Sequence, residues 1–288
     1  MEKFESGKKD ALLDIRALKL GFKDGNATKV IFNRIDASAS AGEIVALIGS
    51  NGRGKSTLLR TLTGLQPVFC EAAAGANSVS KAASGAADVE TGRILYSGKQ
   101  IEEFSNKELS QLISFVSSRT ERANHLSVKD MLSINCYYKT NWLGNITDSD
   151  SNRISQALEL VGLAGFENRN SFELSDGEYQ RATIAAAIVQ DSKIIILDEP
   201  TAFLDIANRF IITQLLQKIA HEWGKLIIFS THDLQLAIDM CDKIWLMTAE
   251  KFYDNTPHQL MDCGAFEKLF DDPRMVFNKT TRSFEMKQ

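Results

Sequence analysis

The chain has 288 residues, enough for one large or two small domains with a buried core. Its 44% hydrophobic and 24% charged residues are usual for a globular protein and exclude a disordered or fibrous class. The net charge of −4 argues against a nucleic-acid partner, and no uncharged run is long enough for a membrane-spanning helix.

The cysteines and the amino-terminal segment indicate the compartment. Cys70, Cys136, Cys241 and Cys263 are far apart in the sequence, which favours reduced structural thiols over a disulfide framework or a metal site. Residues 1–14 lack the apolar centre of a signal peptide, so we expect the protein to stay in the cytoplasm.

The first part of the chain is predicted to form strands. Leu18, Leu20 and Phe22 alternate with less apolar residues, which is the period of a half-buried strand. Residues 30–32 predict a second strand. Residues 43–48 form an almost unbroken apolar run, which is typical of a strand buried on both faces.

Residues 72–87 have low complexity, with eight alanines, two glycines and three serines. Such a segment has almost no apolar surface to bury, so we predict a flexible surface insertion. Alanine-rich sequence also forms helices, but Gly75, Gly85 and the serines argue against a stable one.

The rest of the chain alternates between helices and strands. Residues 119–176 are predicted to be mainly helical, with Ser127 as a helix cap. Further strands are predicted at 113–116, 193–197, 226–229 and 244–247. The helix at 206–223 is predicted to bury one side, formed by Phe210, Ile211, Leu215, Leu216 and Ile219. Strand–helix alternation predicts a parallel sheet.

A glycine-rich segment follows the apolar strand at 43–48 and opens a predicted helix at 57–63. It consists of Gly49, Ser50, Asn51, Gly52, Arg53, Gly54, Lys55, Ser56 and Thr57. This spacing fits the P-loop, in which backbone N–H groups surround phosphates, the lysine reaches the β- and γ-phosphates and the serine hydroxyl ligates Mg²⁺. A chance glycine-rich turn is the alternative, but the flanking strand and helix disfavour it.

Two carboxylates follow the apolar strand that ends at residue 197. Asp198 is placed to hold Mg²⁺, and Glu199 is placed to orient or deprotonate the attacking water. By themselves these residues could be solvated acids at a strand end. The P-loop in the same chain favours the functional interpretation.

Residues 174–178, LSDGE, precede a predicted helix and lie 24 residues before the Asp198 segment. Ser175 or Asp176 could simply cap that helix, although a helix N-terminus with a serine and a glycine also binds phosphate. At this interval the segment resembles the LSGGQ or LSGGE signature of the ATP-binding subunits of ABC transporters. Asp176 stands where that family has a glycine.

The resemblance implies roles for further residues. Residues 201–205 look like the family's D-loop, which includes Asp205, and residues 230–233 look like its switch region, with His232 against the γ-phosphate. Phe22 matches the aromatic residue that stacks on adenine; the alternative is a core residue of its strand. Ser175 and Gly177 would close the ATP site of a second copy.

One position departs from the family pattern. After the strand at 113–116 the family usually has a glutamine that touches Mg²⁺, whereas this chain has Ser118 in that register. A serine is shorter and is expected to reach the metal poorly. If the register differs by a residue or two, Glu121 would approach the metal instead.

These features predict a single α/β domain over residues 1–288, built on a P-loop NTPase core with a mostly parallel sheet, an antiparallel strand layer near the N-terminus and a helical subdomain at 119–176. The resemblance implies an ATPase that uses ATP and Mg²⁺, dimerises with a second copy and binds separate membrane permease subunits at the inner face of the cell membrane. A substrate-binding protein would be an indirect partner.

Residues 138–144 and the short carboxyl-terminal part look like the ATPases of importers for iron–siderophore, haem or cobalamin-type chelates. The alternative is a non-transport ABC ATPase that couples ATP to assembly or regulation. A catalytically inactive scaffold is disfavoured, because Lys55, Ser56, Asp198, Glu199 and His232 are all present.

Overall fold

The computed structural model describes residues 11–24, 27–69, 92–118, 122, 126–136, 147–202, 204–270, 272 and 274–287. Within the first strands, side chains 22–24 and 27–28 are outside the described part. The predicted insertion at 72–87, the segment 138–144 and Glu121 also lie outside the described residues.

The described part contains strands and helices along its whole length. The strands are β1 Leu13–Asp24, β2 Ala27–Ala39, β3 Ile44–Gly49, β4 Arg93–Tyr96, β5 Lys99–Gln100, β6 Ile113–Val116, β7 Ile194–Leu197, β8 Leu226–Ser230, β9 Lys243–Met247, β10 Phe252–Asn255, β11 Met275–Asn278 and β12 Ser283–Met286. The helices are α1 Lys55–Leu62, α2 Asn106–Leu112, α3 Val128–Ser133, α4 Asp148–Leu160, α5 Asp176–Gln190, α6 Ile206–Trp223, α7 Leu234–Met240 and α8 Pro257–Asp262.

The strands form two main sheets. One has the order β10-β9-β3-β8-β7-β6, in which all neighbours are parallel except the edge strand β10. The other is the antiparallel sheet β2-β1-β4-β5. The predicted fold class is therefore confirmed. A hairpin of β11 and β12 near the C-terminus was not predicted.

The parallel sheet is buried on both faces, which explains the unbroken apolar runs. In β3, Ile44, Ala46 and Ile48 pack into the core on the side of the large helices. Val45 and Leu47 pack into the second core, against the antiparallel sheet. Because successive side chains of a strand point to opposite faces, both sets must be apolar.

The helix α6 has the predicted bounds but buries a different side. Phe210 and Ile211 are exposed by 53% and 48%, so their predicted place on the buried side is wrong. The buried apolar residues Ile212, Leu215, Leu216 and Ile219 follow the three- and four-residue spacing of one helix face. Phe210 lies about 200° from Ile212 around the helix, on the opposite side.

The strand order brings the predicted site residues to one edge. Strands β3, β8, β7 and β6 are parallel neighbours, so their carboxyl ends meet at the same edge of the sheet. Ligands of open α/β sheets bind at this edge. Within the described part of the chain, no helix is long and apolar enough to cross a membrane.

Candidate functional site

The phosphate loop, residues 49–57, turns from β3 into α1. Gly52 and Gly54 have φ values of +78° and +91°, a backbone conformation that favours glycine. A Cβ atom at residue 54 would also lie 2.8 Å from Ile31 Cγ2. Glycine at position 54 is therefore required both by the turn and by the packing of β2 beneath it.

Lys55 is the first residue of α1 and is buried beneath this loop. Its Nζ donates to the carbonyl oxygen of Gly49 at 2.7 Å and lies 3.4 Å from that of Ser50. Burial lowers the pKa of Lys55, while the nearby carboxylates of Glu199 and Asp198 act in the opposite direction. The buried ammonium group thus lies within the phosphate loop and forms hydrogen bonds to the loop's backbone.

The other residues of the loop lie closer to solvent. Asn51 and Ser56 are exposed, and Thr57 is half-buried in the first turn of α1. Arg53 Nε donates to Ser50 Oγ at 3.2 Å, which fixes the middle of the loop.

Asp198 follows β7 and is held by the hydroxyl of Ser230, a switch-region residue for which the sequence predicted no contact with Asp198. Ser230, at the end of β8, donates from Oγ to Asp198 Oδ1 at 2.7 Å and accepts the backbone N–H of Glu199 at 2.8 Å. Asp198 is 3% exposed and Ser230 is fully buried. Ser230 therefore ties the ends of two neighbouring strands together and orients the carboxylate.

Glu199 has an unusual backbone for a residue with a side chain. Its φ is +51°, a strained conformation that costs on the order of 1–3 kcal/mol and tends to occur at functional sites. This turn directs the Glu199 carboxylate toward His232, whose Nε2 lies 2.6 Å from Glu199 Oε1. Both side chains are partly exposed and line a cavity of about 110 Å³ with Arg209 and Asp233.

The signature segment, residues 174–178, forms the N-terminus of α5. Ser175 caps the helix in a capping box: its Oγ accepts the N–H of Glu178 at 3.3 Å and donates to Glu178 Oε2 at 2.8 Å. Hydrogen bonds from Ser175 lower the pKa of Glu178. The capping interpretation of Ser175 is confirmed, and Asp176 is the first helical residue.

Gly177 is buried because the next helix passes close to it. A Cβ atom there would lie 2.9 Å from the side-chain oxygen of Asn208 on α6. Asn208 in turn accepts from Arg181 at 3.0 Å and donates to Asp205 Oδ2 at 3.1 Å. Sequence reasoning missed Asn208, which lies 31 residues from Gly177 and belongs to no motif.

Asp205 caps α6, accepting the backbone N–H of Asn208 at 2.7 Å. On the same helix Arg209 donates to the carbonyl oxygen of Leu204 at 2.8 Å and lies 3.8 Å from Asp233. These contacts connect the predicted D-loop to the predicted switch region.

Ser118 follows β6 and is exposed, with its Oγ 3.5 Å from Asp198 Oδ2. This is the long limit of a hydrogen bond. The described residues contain no group of three or more His, Cys, Asp or Glu side chains arranged to hold a metal. The side chain of Phe22 lies outside the described part of the structure, although its backbone pairs with Lys29 in the antiparallel sheet.

Comparison with known proteins identifies the family. The ABC transporter family matches residues 32–202. An uncharacterized ABC transporter ATP-binding protein of Methanocaldococcus jannaschii is 30% identical over 265 residues, which cover 91% of this chain and 84% of the relative. The iron(3+)-hydroxamate import ATP-binding protein FhuC of Bacillus subtilis is 31% identical over 225 residues, which cover 78% of this chain and 74% of the relative.

Solved structures agree. A metal-chelate type ABC transporter in an inward-facing conformation superposes with a TM-score of 0.72 at 25% identity, covering 96% of this chain and 95% of that chain. The fold and the loop at the sheet edge thus define a P-loop ATPase. The chain belongs to the ABC transporter family, as an ATP-binding and ATP-hydrolysing component.

Proposed function

We propose that this chain powers an importer of metal chelates of the iron–siderophore, haem or cobalamin type. The observation that carries the ATPase part is the meeting of the phosphate loop, the Asp198–Glu199 pair and His232 at the carboxyl edge of one sheet. The import part is supported by relatives such as the iron(3+)-hydroxamate and petrobactin import ATP-binding proteins.

The phosphate loop binds the triphosphate of ATP. Its backbone N–H groups and the N-terminus of α1 surround the phosphates, and Lys55 exchanges its bond to the Gly49 carbonyl for bonds to the β- and γ-phosphates. The resemblance to the family assigns adenine stacking to Phe22. The desolvated ammonium of Lys55 interacts with the phosphates more strongly than an exposed one would.

The oxygen donors near the loop suit Mg²⁺. Asp198 has a fixed carboxylate, and Ser56 has an exposed hydroxyl in the first turn of α1. Carboxylate and hydroxyl oxygens are the ligands that this hard cation prefers. Bound there, Mg²⁺ would neutralise phosphate charge; Ser56 and Asp198 would be its main ligands, with Ser118 a distant third.

Glu199 is the general base for hydrolysis. A water attacks the γ-phosphorus, its proton passes to the Glu199 carboxylate, and the bond to the β–γ bridging oxygen breaks to leave ADP and phosphate. His232 holds one oxygen of Glu199 at 2.6 Å, which leaves the other oxygen for the water. His232 also contacts the γ-phosphate once ATP is bound.

A second copy of the chain completes the site. The N-terminus of α5 lies at the surface, where Ser175 and Asp176 are exposed. Helix N-termini attract anions, so the signature segment of one copy closes on the ATP of the other. Asp205, the last residue of the predicted D-loop, lies at the same interface. ATP thereby joins the two copies, and hydrolysis releases them.

The permease docks between the sheet edge and the helical subdomain. An apolar groove of about 350 Å³ lies there, lined among others by Phe115, Met131, Ile134, Tyr179 and Ala186. Ile134 is 58% exposed at its rim. A groove of this kind fits a short apolar helix from a membrane subunit, and this contact places the chain at the inner face of the membrane.

The two serines near the metal should differ in importance. We expect Ser118→Ala to lower hydrolysis less than tenfold, or by less than about 1.4 kcal/mol, because its Oγ is 3.5 Å from Asp198 and exposed. Ser56→Ala should lower it further by removing a direct ligand, and Ser118→Gln should be tolerated. Steady-state rates against Mg²⁺ concentration test this. Equal impairment by Ser118→Ala and Ser56→Ala would contradict it.

Transport is tested in liposomes that hold the chain and its permease. Candidate permease subunits are reconstituted with the chain, ATP is enclosed, and uptake of a labelled ferric siderophore, haem or cobalamin is measured with the cognate binding protein outside. We expect ATP-dependent uptake that Glu199→Gln abolishes. ATP hydrolysis without association with any membrane subunit would favour the alternative, a non-transport ABC ATPase.

A further inference from the structure

Asp176 places a negative charge where the proposed dimer needs a positive one. It is the first residue of α5, and its side chain is 77% exposed. In the proposed dimer this helix end faces the triphosphate of the other copy. An acidic side chain stabilises the helix itself, because it interacts favourably with the helix dipole, but it opposes an incoming anion.

Arg122 holds this carboxylate from a distant part of the chain. Its Nη2 lies 2.5 Å from Asp176 Oδ1, and its Nη1 donates to the carbonyl oxygen of Leu174 at 2.8 Å. The guanidinium carbon also lies 4.9 Å from the centre of the Tyr179 ring. The Arg122 side chain is only 24% exposed, so the arginine is fixed on three sides while Asp176 faces solvent.

The charges decide what this arrangement does for an anion. A helix N-terminus carries a partial charge of roughly +0.5, and the boxed Glu178 in the first turn of α5 adds a negative charge that the nearby Arg181 and Arg169 oppose. An unpaired Asp176 would add a further negative charge, which Arg122 cancels. The signature segment then presents to phosphate the same charge as a segment with glycine at position 176.

The pair also lies beside the catalytic end of its own chain. Arg122 and Asp176 line a cavity of about 210 Å³ together with Ser118 and Glu199. Arg122 is four residues after Ser118, beyond the end of β6. The Arg122 side chain thus connects the chain beyond β6 to the N-terminus of α5, which would face the second copy.

We propose that Arg122 is a positioning residue that neutralises Asp176 and so keeps the signature segment attractive to the triphosphate of a second copy. This inference rests on the proposed ATP-dependent dimer. Arg122 acts through Asp176 and through the carbonyl of Leu174. The chain thereby tolerates an acidic residue in the signature segment.

The test compares ATP-dependent dimerisation of five proteins by sedimentation, all carrying Glu199→Gln to block hydrolysis. We expect Arg122→Ala to weaken dimerisation about tenfold, because it leaves Asp176 unpaired before an anion. Asp176→Asn should dimerise at least as tightly as the parent, and Arg122→Ala with Asp176→Asn should recover most of the loss. Arg16→Ala breaks an ion pair with Asp14 on β1 of the antiparallel sheet and is the control.

Salt gives a second, independent readout. The defect of Arg122→Ala should shrink as the ionic strength rises from about 0.05 to 0.5 M, because exposed charges are screened. ATP binding by the monomer should stay near the parent value throughout. If Arg122→Ala misfolds, the dimerisation of Asp176→Asn still tests the proposal.

The outcomes separate this inference from the dimer on which it rests. A parent that dimerises with ATP and an Arg122→Ala variant that does so equally well would overturn the inference alone. The same follows if Asp176→Asn weakens dimerisation or fails to rescue Arg122→Ala, since the arginine would then act only through Leu174 and Tyr179. A parent that stays monomeric with ATP would overturn the dimer and the inference together.

Discussion

Glu199→Gln should leave ATP binding intact and lower steady-state hydrolysis by about a hundred- to ten-thousand-fold, the range for loss of a general base. Glutamine keeps the shape of the side chain and can still hydrogen-bond to His232, which is 2.6 Å from the carboxylate in the structure. It cannot accept a proton from water. Phosphate release and equilibrium binding of labelled ATP measure the two effects separately.

Glu250→Gln is a suitable control for this prediction. Glu250 is an acid with a 78% exposed side chain that lies 3.8 Å from Lys268. Its replacement should leave hydrolysis unchanged. Near-normal hydrolysis by Glu199→Gln would mean that another residue is the general base. The strained backbone at residue 199 would then have no catalytic explanation.

The second large effect is expected from Ser175→Asp, which should lower hydrolysis about a hundredfold or more by preventing the two copies from closing. Aspartate caps a helix about as well as serine, so α5 should remain intact. The new carboxylate would face the triphosphate of the other copy. ATP binding by the monomer should persist, because the phosphate loop is unchanged.

The chain contains a matched control for this substitution. Ser105 caps α2 with the same capping box, in which Glu108 takes the place of Glu178. Ser105→Asp thus introduces the same charge and the same repulsion from the boxed glutamate, away from the proposed interface. It should leave hydrolysis unchanged. Equal losses from both substitutions would mean that damage to the helix, rather than repulsion of ATP, explains the effect.

The sequence was sufficient for features that depend on local spacing. The apolar runs that became β3, β6, β7 and β8 are visible because strands buried on both faces must be apolar throughout. The phosphate loop can be recognised because its glycines, lysine and serine have a fixed spacing within residues 49–57. Parallel pairing then places the ends of these strands together without further information.

Contacts between distant segments could not be predicted in this way. Arg122 reaches Asp176 across 54 residues, and Ser230 reaches Asp198 across 32. Arg122 belongs to no motif, and the switch-region pattern that includes Ser230 does not indicate that its hydroxyl contacts Asp198. The prediction of which side of α6 is buried was also wrong. Both sides of the helix near Phe210 are apolar, and only packing distinguishes them.

In the proposed mechanism, two copies of this chain hold ATP between them. Sedimentation of Glu199→Gln tests it most directly, because hydrolysis cannot then separate the copies. With ADP the protein should sediment as the monomer of 32.0 kDa. With ATP and Mg²⁺ it should sediment at twice that mass and retain two ATP molecules per particle. A protein that binds ATP yet keeps the monomer mass would contradict the account.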